Sequence, residues 1–227
     1  LKAAVEGKLT EEWRKEHPNV EPAAELLKRI LTERRRKWEE TELAKIRAKG
    51  KEPKNNKWQA KYKEPEFPKK ESTFFVPDHW VWSNLGQLSW SVKDGPHYSP
   101  KYSNEGIPFI SGGNIKSVGI DFASAKYITP KLHAELSLRC KPEKSDLLYT
   151  KGGTTGIALI NSETREFNVW VHVAVLKLVD SIEKFYVQHA LNSPFCYKQS
   201  QRYTHGVGNQ DLGLTREGLI KFPSECI

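Results

Sequence analysis

Between Glu21 and Gly50 the chain repeats every three or four residues, and Leu27, Ile30 or Leu31, Arg34 and Trp38 fall on one face. Pro22 suits a first helical turn. Glu21 and Glu25 complement the positive end of a helix, and Lys45, Arg47 and Lys49 the negative end. The spacing predicts a helix over 22–48. A shorter helical segment over 1–7 precedes it, with a second start at Thr10-Glu11-Glu12-Trp13.

From Phe74 the period shortens to that of strands, in brief runs separated by Gly and Pro. Strands are expected at 80–82, 107–110, 120–122, 126–128, 147–149 and 157–160, and one long central strand at 167–179 that includes His172. Three short helices interrupt them: Thr129-Pro130 and Ser193-Pro194 each pair a cap with a first-turn proline, and Ser181 caps the segment from Ile182. The expected fold class is α+β, a mixed β-sheet with short helices preceded by a helical arm. No strict βαβ alternation supports a doubly wound nucleotide fold, and no internal repeat is present.

Composition sharpens the boundaries. Residues 1–72 carry 20 Lys and Arg against 14 Asp and Glu, the remainder 16 against 14, within a net charge of +8. Lys, Pro and Glu crowd residues 45–72 with almost no aliphatic side chains, so that stretch reads as a linker. The expected organisation is a helical arm at 1–50, a linker at 51–73 and a globular domain at 74–227.

Apolar residues are 37% of the chain and mean hydropathy is -0.64, which excludes a membrane protein. No run reaches the length of a spanning helix, and the first residues lack a signal-peptide core, so the expected location is cytoplasmic. Cys140, Cys196 and Cys226 form no CxxC pair and suit reduced structural thiols; no metal site is expected. The sequence has no Met, so it is expected to be a piece of something longer.

Three polar loops carry the candidate chemistry. Lys151-Gly152-Gly153-Thr154-Thr155-Gly156 offers a cation, two hydroxyls and closely approachable backbone, which suits either phosphate oxygens or a tight structural hairpin. It lacks the ending of a Walker A loop. The segment 202–211 holds Arg202, Tyr203, His205, Asn209 and Gln210; Asn and Gln suit adenine edges and Arg guanine or phosphate, and the same residues equally suit a surface loop capped by its own side chains. The segment 93–101 holds Lys93, His97, Tyr98 and Lys101, again basic and aromatic.

Arg34-Arg35-Arg36-Lys37 suits a nucleic-acid patch, but is better read as a solvated face paired with Glu33, Glu39 and Glu40. The narrow apolar stripe beside it has nothing local to pack on and points to a partner helix, in the same chain or in another subunit. Catalysis finds little support. The histidines are scattered, and Asn192-Ser193-Pro194-Phe195 only faintly resembles an amino-methyltransferase signature, without its first proline or a cofactor loop.

Taken together, the segments resemble specificity (S) subunits of type I restriction-modification enzymes. The resemblance is carried by residues 3–14, 21–31 and 33–40, similar to the end of the family's spacer helix and the segment after it. Trp80-Val81-Trp82-Ser83-Asn84-Leu85-Gly86 is similar to the entry into a target recognition domain, and 106–115, 146–156 and 208–213 come after it in the family's order. The resemblance implies that 74–227 reads half of a bipartite DNA sequence without performing chemistry or holding a cofactor. The arm, through Leu27, Ile30, Leu31, Arg34 and Trp38, would meet methyltransferase (M) subunits, which methylate adenine with S-adenosylmethionine, and through them restriction (R) subunits, which use ATP. An S subunit normally has two recognition domains and two spacers, whereas this chain has one domain; it is expected to be a fragment or truncated frame, able to restore the twofold arrangement as a homodimer. The alternatives are an assembly module without DNA affinity and a recognition domain fused to its enzyme.

Overall fold

The computed structural model describes residues 2–67, 76–203 and 221–224. Helices α1 (Lys2–Val5), α2 (Glu11–Glu16) and α3 (Ala23–Ala48) come first, and α3 matches the predicted helix within one residue. Strands β1 (Val81–Asn84), β2 (Ser89–Asp94), β3 (Ile107–Ile110), β4 (Ile115–Lys116), β5 (Gly119–Ile120) and β6 (Lys126–Ile128) lead to α4 (Pro130–Ser137). Then come β7 (Leu147–Thr150), β8 (Ala158–Ile160), β9 (Asn168–Val169), β10 (Val173–Leu178), α5 (Lys184–Leu191), α6 (Pro194–Tyr203) and β11 (Lys221–Ser224).

This is the expected α+β class. An antiparallel sheet of order β2-β10-β7-β8 forms the middle layer. Alternate strand residues point to opposite faces. Leu147, Tyr149, Ala158, Ile160, Ala174 and Leu176 meet Leu26, Leu27 and Ile30 of α3 and Val187 and Leu191 of α5 on one face. Leu148, Leu159, Val173 and Val175 meet Ile110, Phe167 and Val169 on the other. That second layer is a mixed sheet of order β6-β3-β9, with β3 antiparallel to β6 and parallel to β9.

Several local expectations change. The long strand at 167–179 is broken: β9 and β10 belong to different sheets, and Trp170-Val171-His172 makes the turn between them, closed by Val173 N–H donating to the Trp170 carbonyl. Strand β2 is an addition to the expected set, because its burial does not alternate cleanly. Helix α5 starts three residues beyond Ser181, because the Glu183 carboxylate accepts the Phe185 N–H and Ile182 is drawn into the core. Thr129 does cap α4, accepting the Leu132 N–H at 3.3 Å.

The Lys/Pro/Glu stretch does not run free in its described part. A 3-10 helix at Asn56–Lys61 turns back along α3, bringing Trp58 to 6.3 Å and Tyr62 to 5.2 Å from the Trp38 ring. Two aromatics in a charged context were enough to find a third, because ring burial outweighs the polar composition around it.

Candidate nucleic-acid interface

Asp94 ends β2 with no exposed surface, and a buried carboxylate must be paired. Its Oδ1 accepts from Arg139 Nη2 at 2.7 Å, and its Oδ2 lies 3.0 Å from His97 Nε2 and 3.3 Å from Lys151 Nζ. Lys151 is only 3% exposed. The lysine read as a phosphate contact is therefore inside the protein, joining loop 151–156 to loop 93–101.

Residues 151–156 form the hairpin between β7 and β8, closed by Gly156 N–H donating to the Thr150 carbonyl and Thr150 N–H to the Ile157 carbonyl. Gly152 and Thr155 are buried, and only Gly153 and Thr154 reach the surface at the tip. Two glycines allow the loops to close on one another. A Cβ on Gly95 would stand 1.8 Å from the Val169 carbonyl oxygen, and one on Gly152 would stand 2.3 Å from His172 Cδ2.

The end of α6 joins them, since Gln201 Nε2 donates to Thr155 Oγ1 at 3.0 Å and the next residue, Arg202, is exposed. Tyr203 closes α6, while His205, Asn209 and Gln210 lie outside the described residues. Lys93, His97, Tyr98 and Lys101 are all exposed. So the first two predicted loops and the start of the third share one region of the molecule. Sequence reasoning missed Trp170 and His172 in the same place, having counted them into an unbroken strand. The signal was there in Trp170, too bulky and too polar at one atom to match the aliphatic run around it.

The arm residues divide. Leu27 and Ile30 are buried in their own chain's core, so the stripe expected to meet a partner helix has a local one; the sequence could not place the sheet beneath it. Leu31 packs at the core's edge, and Trp38 lies under Trp58 and Tyr62. Arg34 is half-buried beside Tyr62. The neighbouring charges pair along the helix, Arg35 with Glu39 at 3.1 Å and Lys37 with Glu33 at 3.1 Å. Asn192 has a structural task, its amide bonding both the Ala158 N–H and the Ala158 carbonyl along the edge of β8.

Among the described residues no group of His, Cys, Asp and Glu is arranged to hold a metal ion, and no helix is long and apolar enough to cross a membrane.

No family model and no curated protein matches the chain. Solved structures do. A type I restriction-modification S subunit from M. genitalium is 14% identical with a TM-score of 0.46, over 70% of this chain and 37% of that one. A structure concerning complex assembly and conformational transition of the type I R-M system is 17% identical with a TM-score of 0.46, over 96% of this chain and 48% of that one. The HsdS subunit from Thermoanaerobacter tengcongensis is 16% identical with a TM-score of 0.41, over 99% of this chain and 45% of that one. The chain thus spans less than half of each.

Proposed function

We propose that this chain is a non-catalytic reader of duplex DNA sequence, a recognition domain of a type I specificity subunit. The observation that supports it is the junction of loops 93–101 and 151–156 with the end of α6, pinned by a buried ion pair and rimmed by exposed Lys93, Lys101 and Arg202. Exposed cations fix register on phosphates while rigid loops present side chains to base edges. In this reading Lys93, Lys101 and Arg202 hold phosphates, and His97, Tyr98, Gly153 and Thr154 face the groove, while Tyr203, His205, Asn209 and Gln210 are assigned to the DNA by residue type. Lys151, Gly152 and Thr155 build the support beneath. M subunits supply adenine methylation and R subunits cleavage, both directed by this domain, and a second recognition domain completes a bipartite site.

An assembly module without DNA affinity is favoured by one feature, a mostly apolar groove of about 460 Å³ beside α3 that includes Leu31, Phe67 and Val81. Selection from a random duplex pool at two salt concentrations, with and without the M subunit, separates the two. Enrichment of a short motif containing adenine, with affinity falling as salt rises, supports the reading. M-subunit binding with no enrichment overturns it in favour of assembly.

A further inference from the structure

Trp170 is a large apolar side chain that neither hydrophobic cluster uses. It stands at the break between β9 and β10, half-buried, and it is held in place on two sides. Its Nε1–H donates to the Tyr98 carbonyl at 3.2 Å. Its ring lies 4.5 Å from the His172 ring at 47°, and that ring packs against Gly152 so closely that no Cβ fits between them. The layers Gly152, His172 and Trp170 thus tie three loops into one aromatic shelf. An indole kept partly in water by rigid supports forgoes burial that a flexible turn would have allowed it.

The surroundings specify what the shelf suits. Loops 93–101, 151–156 and 170–172 hold three lysines against one aspartate, and that aspartate is buried and also bound by Arg139. A flat apolar face in a positive setting matches a polyanion that carries flat rings. The only hydrogen-bond donor of the indole is already taken by Tyr98, so Trp170 cannot discriminate bases by donating to their edges. What remains to it is apolar contact, and the C5-methyl of thymine is the apolar group displayed in the major groove.

We propose that Trp170, seated on His172, is a specificity-determining residue that contacts a thymine methyl in the DNA sequence this chain reads. The inference rests on the DNA-reading function proposed above.

The test uses the whole chain and the motif enriched from the random pool, with each thymine replaced in turn by uracil, which lacks only the methyl. One position is expected to weaken binding about fourfold, the effect of one buried methyl group. In Trp170→Ala the same replacement should cost nothing, with the salt dependence of binding unchanged. Equal uracil penalties in wild type and variant overturn the inference and leave the DNA reading standing, as does an enriched motif with no methyl-sensitive thymine. Absence of any motif overturns both. Should Trp170→Ala fail to fold, photocrosslinking of the wild-type chain to 5-iodouracil at the sensitive position decides: adducts at 170–172 support the contact, and adducts confined to other segments overturn it.

Discussion

Lys151 Nζ lies 3.3 Å from Asp94 Oδ2 with both side chains out of water, so the most distinctive loop of the sequence is fastened from below by its own cation. Asp94 also serves Arg139 and His97, whose side chains are 60% and 63% exposed. One carboxylate thus sets the position of β2, the segment after α4, and the hairpin tip.

The two ends of that pair are not equivalent. Asp94→Asn removes the charge that balances a buried lysine and is expected to cost about 3–5 kcal/mol. Lys151→Met should cost less, because Arg139 and His97 still serve Asp94. Urea unfolding of the two variants gives the order, and a larger loss for Lys151→Met contradicts it. Lys151→Met should also leave the salt slope of DNA binding unchanged, because its cation is buried and meets no phosphate, whereas Lys93→Ala and Lys101→Ala should each flatten the salt dependence by about one unit of slope.

Ile30 is 1% exposed where α3 crosses the four-stranded sheet. Ile30→Ala is expected to destabilise the chain by about 2–5 kcal/mol. The loss should be independent of protein concentration, since the contact is made within one chain. A concentration-dependent loss in denaturant melts would assign the stripe to a subunit interface instead.

Lys177 bonds Glu143 and, at 3.1 Å, Asp146. Its hydrogen bond and charge hold Glu143 below the usual carboxylate range, so that pair stabilises the fold above the unfolded glutamate pKa and the gain is lost as pH falls through the lowered one. Burial pushes Asp146 upward, so its ionised form costs stability at neutral pH and the cost vanishes on protonation. Lys177→Met leaves that buried carboxylate without its cation and should cost about 2 kcal/mol at neutral pH. The difference should shrink as pH falls through the carboxylate range; a difference unchanged by acid contradicts the assignment.

Burial pushes the thiols of Cys140 and Cys196 up to about 12. At pH 8 both therefore stay thiols in the folded chain, so both should resist iodoacetamide there and react on unfolding. Peptide mapping of alkylated protein checks each site separately, and rapid modification of either in native buffer contradicts its burial.

Features that depend on neighbours in sequence were legible without coordinates. The 3.6-residue period and end charges of α3, the Thr129-Pro130 and Ser193-Pro194 helix starts, and the strands at 107–110 and 126–128 are local effects of backbone geometry and capping. The α+β class came from their order. Tertiary structure decided where each of those faces went. It laid Leu27 and Ile30 on their own sheet, turned Trp58 and Tyr62 onto Trp38, broke 167–179 between two sheets, and drew Lys151 inside against Asp94. A run of residues states that a lysine beside glycines is available, but whether it meets water, phosphate or a buried carboxylate depends on a residue 57 positions away in the chain. Burial and ion pairing are properties of packing between distant segments, and only the folded chain brings those segments together.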